Sequence, residues 1–198
     1  MKKLFLLLVA AATFNVNAAL ITVSTDKATY NVGDTIVATV SATNLALPGG
    51  FQTLFSGYST QLTFDASLLD AVSGSVMSLA PFGPEMAPFP LGPLFNQSII
   101  GNSVTVNSFL FPFDPTSQLG RNTIGLFSVS FTAKAIGDAV LAMGLSSVSE
   151  PAFQSLPPTQ VGTQNTSFAI TQVSAPGTGV LAALALAGLV VMRRRVSR

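Results

Sequence analysis

Through the middle of this chain the residues at every second position are apolar, and that rhythm admits few folds. Ile36, Ala38 and Val40 alternate with Val37, Thr39 and Ser41. Val104 and Val106 alternate with Thr105 and Asn107, and Phe127, Val129, Phe131 and Ala133 alternate with Ser128, Ser130 and Thr132. A period of two sends successive side chains to opposite faces of a strand, so each segment offers one face to a core and the other to water. Further strands are expected at 20–24, 59–64, 68–76, 139–145 and 167–173. Turn chemistry separates them at Asn31-Val32-Gly33-Asp34, Pro48-Gly49-Gly50, Gly101-Asn102, Asp114-Pro115 and Gly137-Asp138. No segment carries a convincing amphipathic helix. About eight or nine short strands with these separators predict an all-β fold, an antiparallel jelly-roll-type sandwich.

The chain contains no cysteine, histidine or tryptophan. A body spanning 19–173 is long enough to bury a core without disulfides. Zinc-finger, thiol and c-type haem chemistry are excluded by the missing cysteines, and Ser-His-Asp and Cys-His nucleophilic sites by the missing histidines. There is no Gly-x-Ser-x-Gly elbow and no phosphate loop. A glycosidase needs only two carboxylates, but Asp65, Asp70, Glu85 and Asp114 are scattered and mostly at turns, where Asp caps backbone amides. Calcium would take Asp and backbone oxygens; no run of Asp has EF-hand-like spacing, and turn capping is the plainer reading of Asp114 and Asp138. We expect a non-enzymatic protein with no cofactor and no metal site. A secreted glycan-active enzyme is the alternative.

Both ends read as targeting segments. Lys2-Lys3 precedes the apolar run 4–12, and Val16-Asn17-Ala18 follows. That order is the n-region, h-region and small-residue cleavage site of a secretory signal, with cleavage expected after Ala18, Val16 at −3 and Ala18 at −1. The run is too short for a permanent spanning anchor. At the other end, Val173-Ser174-Ala175-Pro176-Gly177-Thr178 leads into an apolar segment at 179–192 and then Arg193-Arg194-Arg195. Pro176 holds the chain extended and disfavours helix at Ala175, leaving a peptide that a protease can reach. Residues 179–192 would make a helix of roughly 21 Å, short for a hydrocarbon core of ~30 Å, and thus suited to a temporary transmembrane anchor. The arginines keep the C-terminus in the cytoplasm by the positive-inside rule. The expected parts are a signal peptide at 1–18, a sandwich at 19–173 and a sorting tail at 174–198. Six of the nine basic residues lie in the two terminal segments, and the body holds three cations against eight acids, a net charge near −5. So acidic a body is a poor ligand for nucleic acid.

One internal segment breaks the rhythm. Residues 79–97 contain Pro81, Pro84, Pro88, Pro90 and Pro93 interleaved with Phe82, Met86, Phe89, Leu91 and Phe95. Prolines at that density cannot sit in a central strand. The segment is either a contact loop or a long connection folded over the open end of the sandwich. Tyr58, beside Gly57, is a candidate aromatic platform for a sugar, with a half-buried strand tyrosine as the plainer reading.

Two resemblances follow from these residues. The tail, with Ser174-Ala175-Pro176-Gly177-Thr178, the apolar helix and Arg193, Arg194 and Arg195, resembles the PEP-CTERM sorting signal of Gram-negative bacteria, with Ser-Ala-Pro in place of the usual Pro-Glu-Pro. The resemblance implies processing by the membrane peptidase exosortase. It also implies an inner-membrane-anchored precursor and delivery to the outer surface or extracellular matrix, in association with exopolysaccharide and biofilm. The body resembles, in three stretches, the cohesin-like carbohydrate-binding β-sandwich family: Tyr30-Asn31-Val32-Gly33-Asp34-Thr35, then residues 61–69 (Gln61-Leu62-Thr63-Phe64-Asp65-Ala66-Ser67-Leu68-Leu69), then residues 126–133 followed by Gly137. These are fold-building residues: Gly33 permits a turn, Asp34 and Asp65 cap amides, and Leu62, Phe64, Leu68 and Phe131 fill a core. The implied work is adhesive or structural, through contact with exopolysaccharide or another surface protein, or docking of a dockerin-like partner.

Overall fold

The computed structural model describes residues 19–46, 52–79, 94–109, 116, 118–149 and 161–172. They form twelve strands, β1 (Leu20–Thr25), β2 (Thr29–Asn31), β3 (Thr35–Thr43), β4 (Gly57–Phe64), β5 (Leu69–Ala71), β6 (Met77–Ser78), β7 (Leu94–Ile100), β8 (Ser103–Phe109), β9 (Thr123–Ala133), β10 (Gly137–Ser149), β11 (Gly162–Gln164) and β12 (Thr166–Thr171). Sheet A runs β11-β1-β3-β9-β5, with β6 also on β9; sheet B runs β2-β12-β10-β4-β8-β7. The chain switches repeatedly between the sheets, and all pairings are antiparallel except β1 with β11 and β12 with β2. The sandwich expected from the alternation is thus present, but with twelve strands among the described residues in place of about eight or nine, because short pieces such as β2, β5, β6 and β11 show no period of their own. No helix among the described residues is long and apolar enough to cross a membrane.

The alternation fills the space between the sheets. Ile36, Ala38 and Val40 of β3 and Val129 and Phe131 of β9 are buried, as are Leu62 and Phe64 of β4, Val104 and Val106 of β8, and Leu141 of β10. Phe64 meets Phe131 edge-to-face, 5.0 Å between ring centres, a favoured aromatic geometry. In β9 the parity slips once. Val40 pairs with Phe127 but Ser41 pairs with Gly125, and the extra residue of this bulge lets the adjacent Leu126 and Phe127 both be buried.

Turns follow local chemistry. Gly33 has φ 92°, and the Asp34 carboxylate accepts the Asn31 amide at 2.8 Å. Asp65 accepts the Ser67 amide at 2.8 Å and its hydroxyl at 2.6 Å. Gly101, φ 59°, opens the two-residue link between β7 and β8 and meets the need of a tight hairpin for positive φ. Two expectations are corrected. Residues 68–76 are not one strand: the turn at Gly74, φ 73°, separates β5 from β6 because its left-handed backbone cannot continue a ladder. Gly137-Asp138 opens β10, and the turn falls at 134–136.

Two polar arrangements close the structure. Gln118, 0% exposed, accepts the Phe55 amide at 2.9 Å and donates to the Phe55 carbonyl at 2.7 Å, replacing a strand partner. Gln52 answers from the other side, accepting the Gly120 amide at 2.9 Å and donating to the Arg121 carbonyl at 2.8 Å. At the opposite corner the Tyr30 hydroxyl donates to Asp26 at 2.6 Å and accepts the Lys27 amide at 2.9 Å, while Asp26 also accepts the Val37 amide at 3.2 Å. The Tyr30 ring stands edge-on to Phe168 at 5.3 Å. The Tyr30 bond holds the Asp26 carboxyl below its ordinary range; burial, then Asp26, push the Tyr30 phenol up.

Gln118→Leu keeps a side chain of similar size but removes its amide and strands both polar groups of Phe55. It is expected to cost about 2–5 kcal/mol, measured by urea unfolding; an unchanged midpoint would contradict the clamp. A second prediction concerns pH. Asp26 is lowered, so its stabilisation is complete above about pH 4 and lost as the pH falls through the folded value. Tyr30 is raised, so its share is present below about pH 10 and lost above. Asp26→Asn should therefore flatten the acid limb of the stability–pH profile, and equal acid losses in variant and parent would refute the pairing.

Candidate binding face

The strand register places three cross-strand rows on the outer face of sheet B. Asn96, Asn107, Ser59 and Ser147 form one; Ser98, Thr105 and Gln61 the next; Ile100, Ser103, Thr63 and Ala142 the third. None of these residues is charged. Gln61 donates to the Ser103 hydroxyl at 2.7 Å, and Thr63 donates to the Ala142 carbonyl at 3.2 Å. Apolar groups stand at the borders of this polar, neutral field: Ile100 is 75% exposed, Val140 46% and Phe109 42%. Exposed apolar side chains rimmed by hydroxyls and amides suit a contact with another molecule.

The outer face of sheet A differs. It is a hydroxyl array, with Thr22 opposite Ser41 and Ser24 opposite Thr39. Several hydroxyls there bond to the next strand: Thr43 donates to the Leu20 carbonyl at 3.2 Å, and Ser75 to that of Ser130 at 3.3 Å. Asp70 adds an exposed carboxylate on β5.

The site residues expected from sequence distribute as follows. Tyr58 is not a platform. It is 4% exposed, its hydroxyl donates to the Leu126 carbonyl at 2.9 Å, and its ring stacks on Phe127 at 6.4 Å. Burial pushes its phenol well up. Its parity with Leu62 and Phe64 turns it inward. Phe95 is half-buried against the core, in β7 and not in a loop, so the irregular segment ends before Leu94. Phe82, Met86, Phe89 and Leu91 lie outside the described residues. So do Val16 and Ala18, and Ser174, Ala175, Pro176, Gly177, Thr178, Arg193, Arg194 and Arg195. Among the acids, Asp65 is held low by its Ser67 bonds, while Glu85 and Asp114 are outside the described residues. No group of three or more acidic residues among those described is placed to hold a metal. The sheet B face was not singled out from sequence. Its signal is composition: no charged residue occurs between Glu85 and Asp114.

In sequence the chain matches no family model and no curated protein. In structure it is similar to cohesin modules. A type II cohesin domain from the cellulosome of Acetivibrio cellulolyticus has a TM-score of 0.59 at 12% identity, covering 76% of this chain and 95% of that one. A non-cellulosomal cohesin from the archaeon Archaeoglobus fulgidus gives 0.55 at 16%, covering 78% and 92%. A cohesin in a type II cohesin–X-dockerin complex from Acetivibrio cellulolyticus gives 0.55 at 18%, covering 78% and 95%. The body of this chain is a cohesin-like β-sandwich.

Proposed function

We propose that this protein is an exported, non-enzymatic module of the cell surface or extracellular matrix that holds a protein partner through the outer face of sheet B. The fold is the observation that carries this reading: the sandwich is built like modules whose structures include complexes with dockerins. The charge-free rows of sheet B support it. The rows carry no charge, and Asp138 is exposed beyond them at the start of β10, so recognition at the rows rests on shape, hydrogen bonds and a few apolar anchors; Ile100, Val140 and Phe109 are exposed apolar groups available there. The hydroxyl and amide rows also suit a neutral polysaccharide, the second reading of the same face.

Export and sorting belong to the same proposal. The lysine-led apolar start, Val16 and Ala18 at the cleavage point, and the Ser174-Ala175-Pro176 tail with its three arginines support a secreted precursor held by 179–192. An exosortase-type peptidase would then release it to the surface or matrix, where exopolysaccharide is abundant.

The binding reading is tested by placing a photo-crosslinking amino acid at Thr105, central on sheet B, or at Thr39, central on sheet A, in the full chain in its own host. A discrete protein adduct from Thr105 and none from Thr39 is expected. Adducts from Thr39 alone, or from neither, would contradict it; a polysaccharide adduct at Thr105 would move the assignment to the second reading.

A further inference from the structure

We infer that β7 is a pairing edge through which two copies of this chain join into one continuous sheet. Three other edge strands are too short to template much: β2, β5 and β11 have three residues each. The edge at β7 is different. Its seven residues pair with β8 without a register break, from Leu94 opposite Phe109 to Ile100 opposite Ser103, and no other described strand pairs with it. Proteins normally blunt such an edge with lysine, proline, a bulge or an inward charge. Here the whole β7–β8 hairpin contains no charged residue and no proline. A regular strand with one side unpaired leaves alternate N–H and C=O groups directed outward, ready for another strand.

The sequence of this edge selects its occupant. Leu94-Phe95-Asn96-Gln97-Ser98-Ile99-Ile100 reads the same in polarity from either end: two apolar residues, three polar, two apolar. Antiparallel pairing with a second copy about a two-fold axis at Gln97 matches every class. Leu94 falls opposite Ile100, Phe95 opposite Ile99, Asn96 opposite Ser98, and Gln97 opposite itself. Phe95 and Ile99 are already half-buried against the core, so the junction continues the apolar layer on either side of exposed Gln97, which shares their face, while exposed Asn96 and Ser98 meet on the outer face. Such an isologous contact closes on two copies and does not propagate. It leaves both outer sheet faces open.

The absence of cysteine from the chain makes the test direct, because one introduced thiol reports alone. Opposed residues of an antiparallel pair have Cα atoms about 4.5–5.5 Å apart, within reach of a disulfide. In the full chain in detergent, under mild oxidation, Gln97→Cys should give a disulfide dimer about tenfold faster than Asn96→Cys or Ser98→Cys alone. A mixture of the last two should crosslink like Gln97→Cys. Gln97→Lys, which sets two ammonium groups across the axis, should sediment as monomer, and mixing it with Gln97→Glu should restore the dimer. Crosslinking of Gln97→Cys no faster than of Asn96→Cys, or indifference of the oligomeric state to the charge variants, would overturn the pairing.

Discussion

The layer of apolar side chains between the two sheets has no covalent support, since a chain without cysteine can form no disulfide. Burial of residues such as Ile36, Leu62, Leu141 and Phe131 must therefore offset the entropy of ordering the chain. Each fully buried large apolar side chain contributes about 1.5–3 kcal/mol, against roughly 1–2 kcal/mol per residue for fixing the backbone. The margin depends on the strands keeping their parity. A one-residue slip in β3 or β9 would turn Val40 and Phe131 outward and Ser41 and Thr132 inward. The slip in β9 is tolerated because its extra residue, Leu126, is itself apolar and finds a place inside.

Where ladders end, amide side chains take over. Gln118 and Gln52 stand in for backbone partners at one end of the sandwich, and Asn122 accepts the Ala46 amide at 3.0 Å beside them. Uncharged amides can serve both a donor and an acceptor in a dry place, which a carboxylate or an ammonium cannot. The same economy of charge runs outward: the stretch from Met86 to Phe113 has none, and the outer rows of sheet B and the edge at β7 are neutral as a result. Interior and surface are thus shaped by one compositional choice.

Much of this fold was legible. The alternation in β3, β8 and β9 fixed both strands and facing, and Asp34 and Asp65 acted as local caps, because these signals lie within a few residues. Contacts that join distant segments were not legible. Gln118 grips a residue 63 positions away, and nothing near it marks it as buried. For Tyr58 the plainer reading as a strand tyrosine holds and the platform does not, because β4 begins at Gly57, two residues before the expected start, and carries the parity of Leu62 and Phe64 back to it. The segment β7 was masked by the prolines before it, and β2 and β11 are too short to show a period. The sheet B face emerges only when β7, β8, β4 and β10 are laid side by side, since its rows draw on residues from Ser59 to Ser147.

In the proposed reading, this sandwich gains its role from where it is displayed. Ala19, the residue after the expected signal cleavage, is itself buried in the core. At the other end β12 closes at Thr171, just before the tail that begins at Ser174. The most direct test of an exported, sorted module is the intact mass of the protein recovered from the envelope and medium of its host. The account predicts a species beginning at Ala19 and ending near Pro176. A species that retains both 1–18 and 179–198 would contradict it.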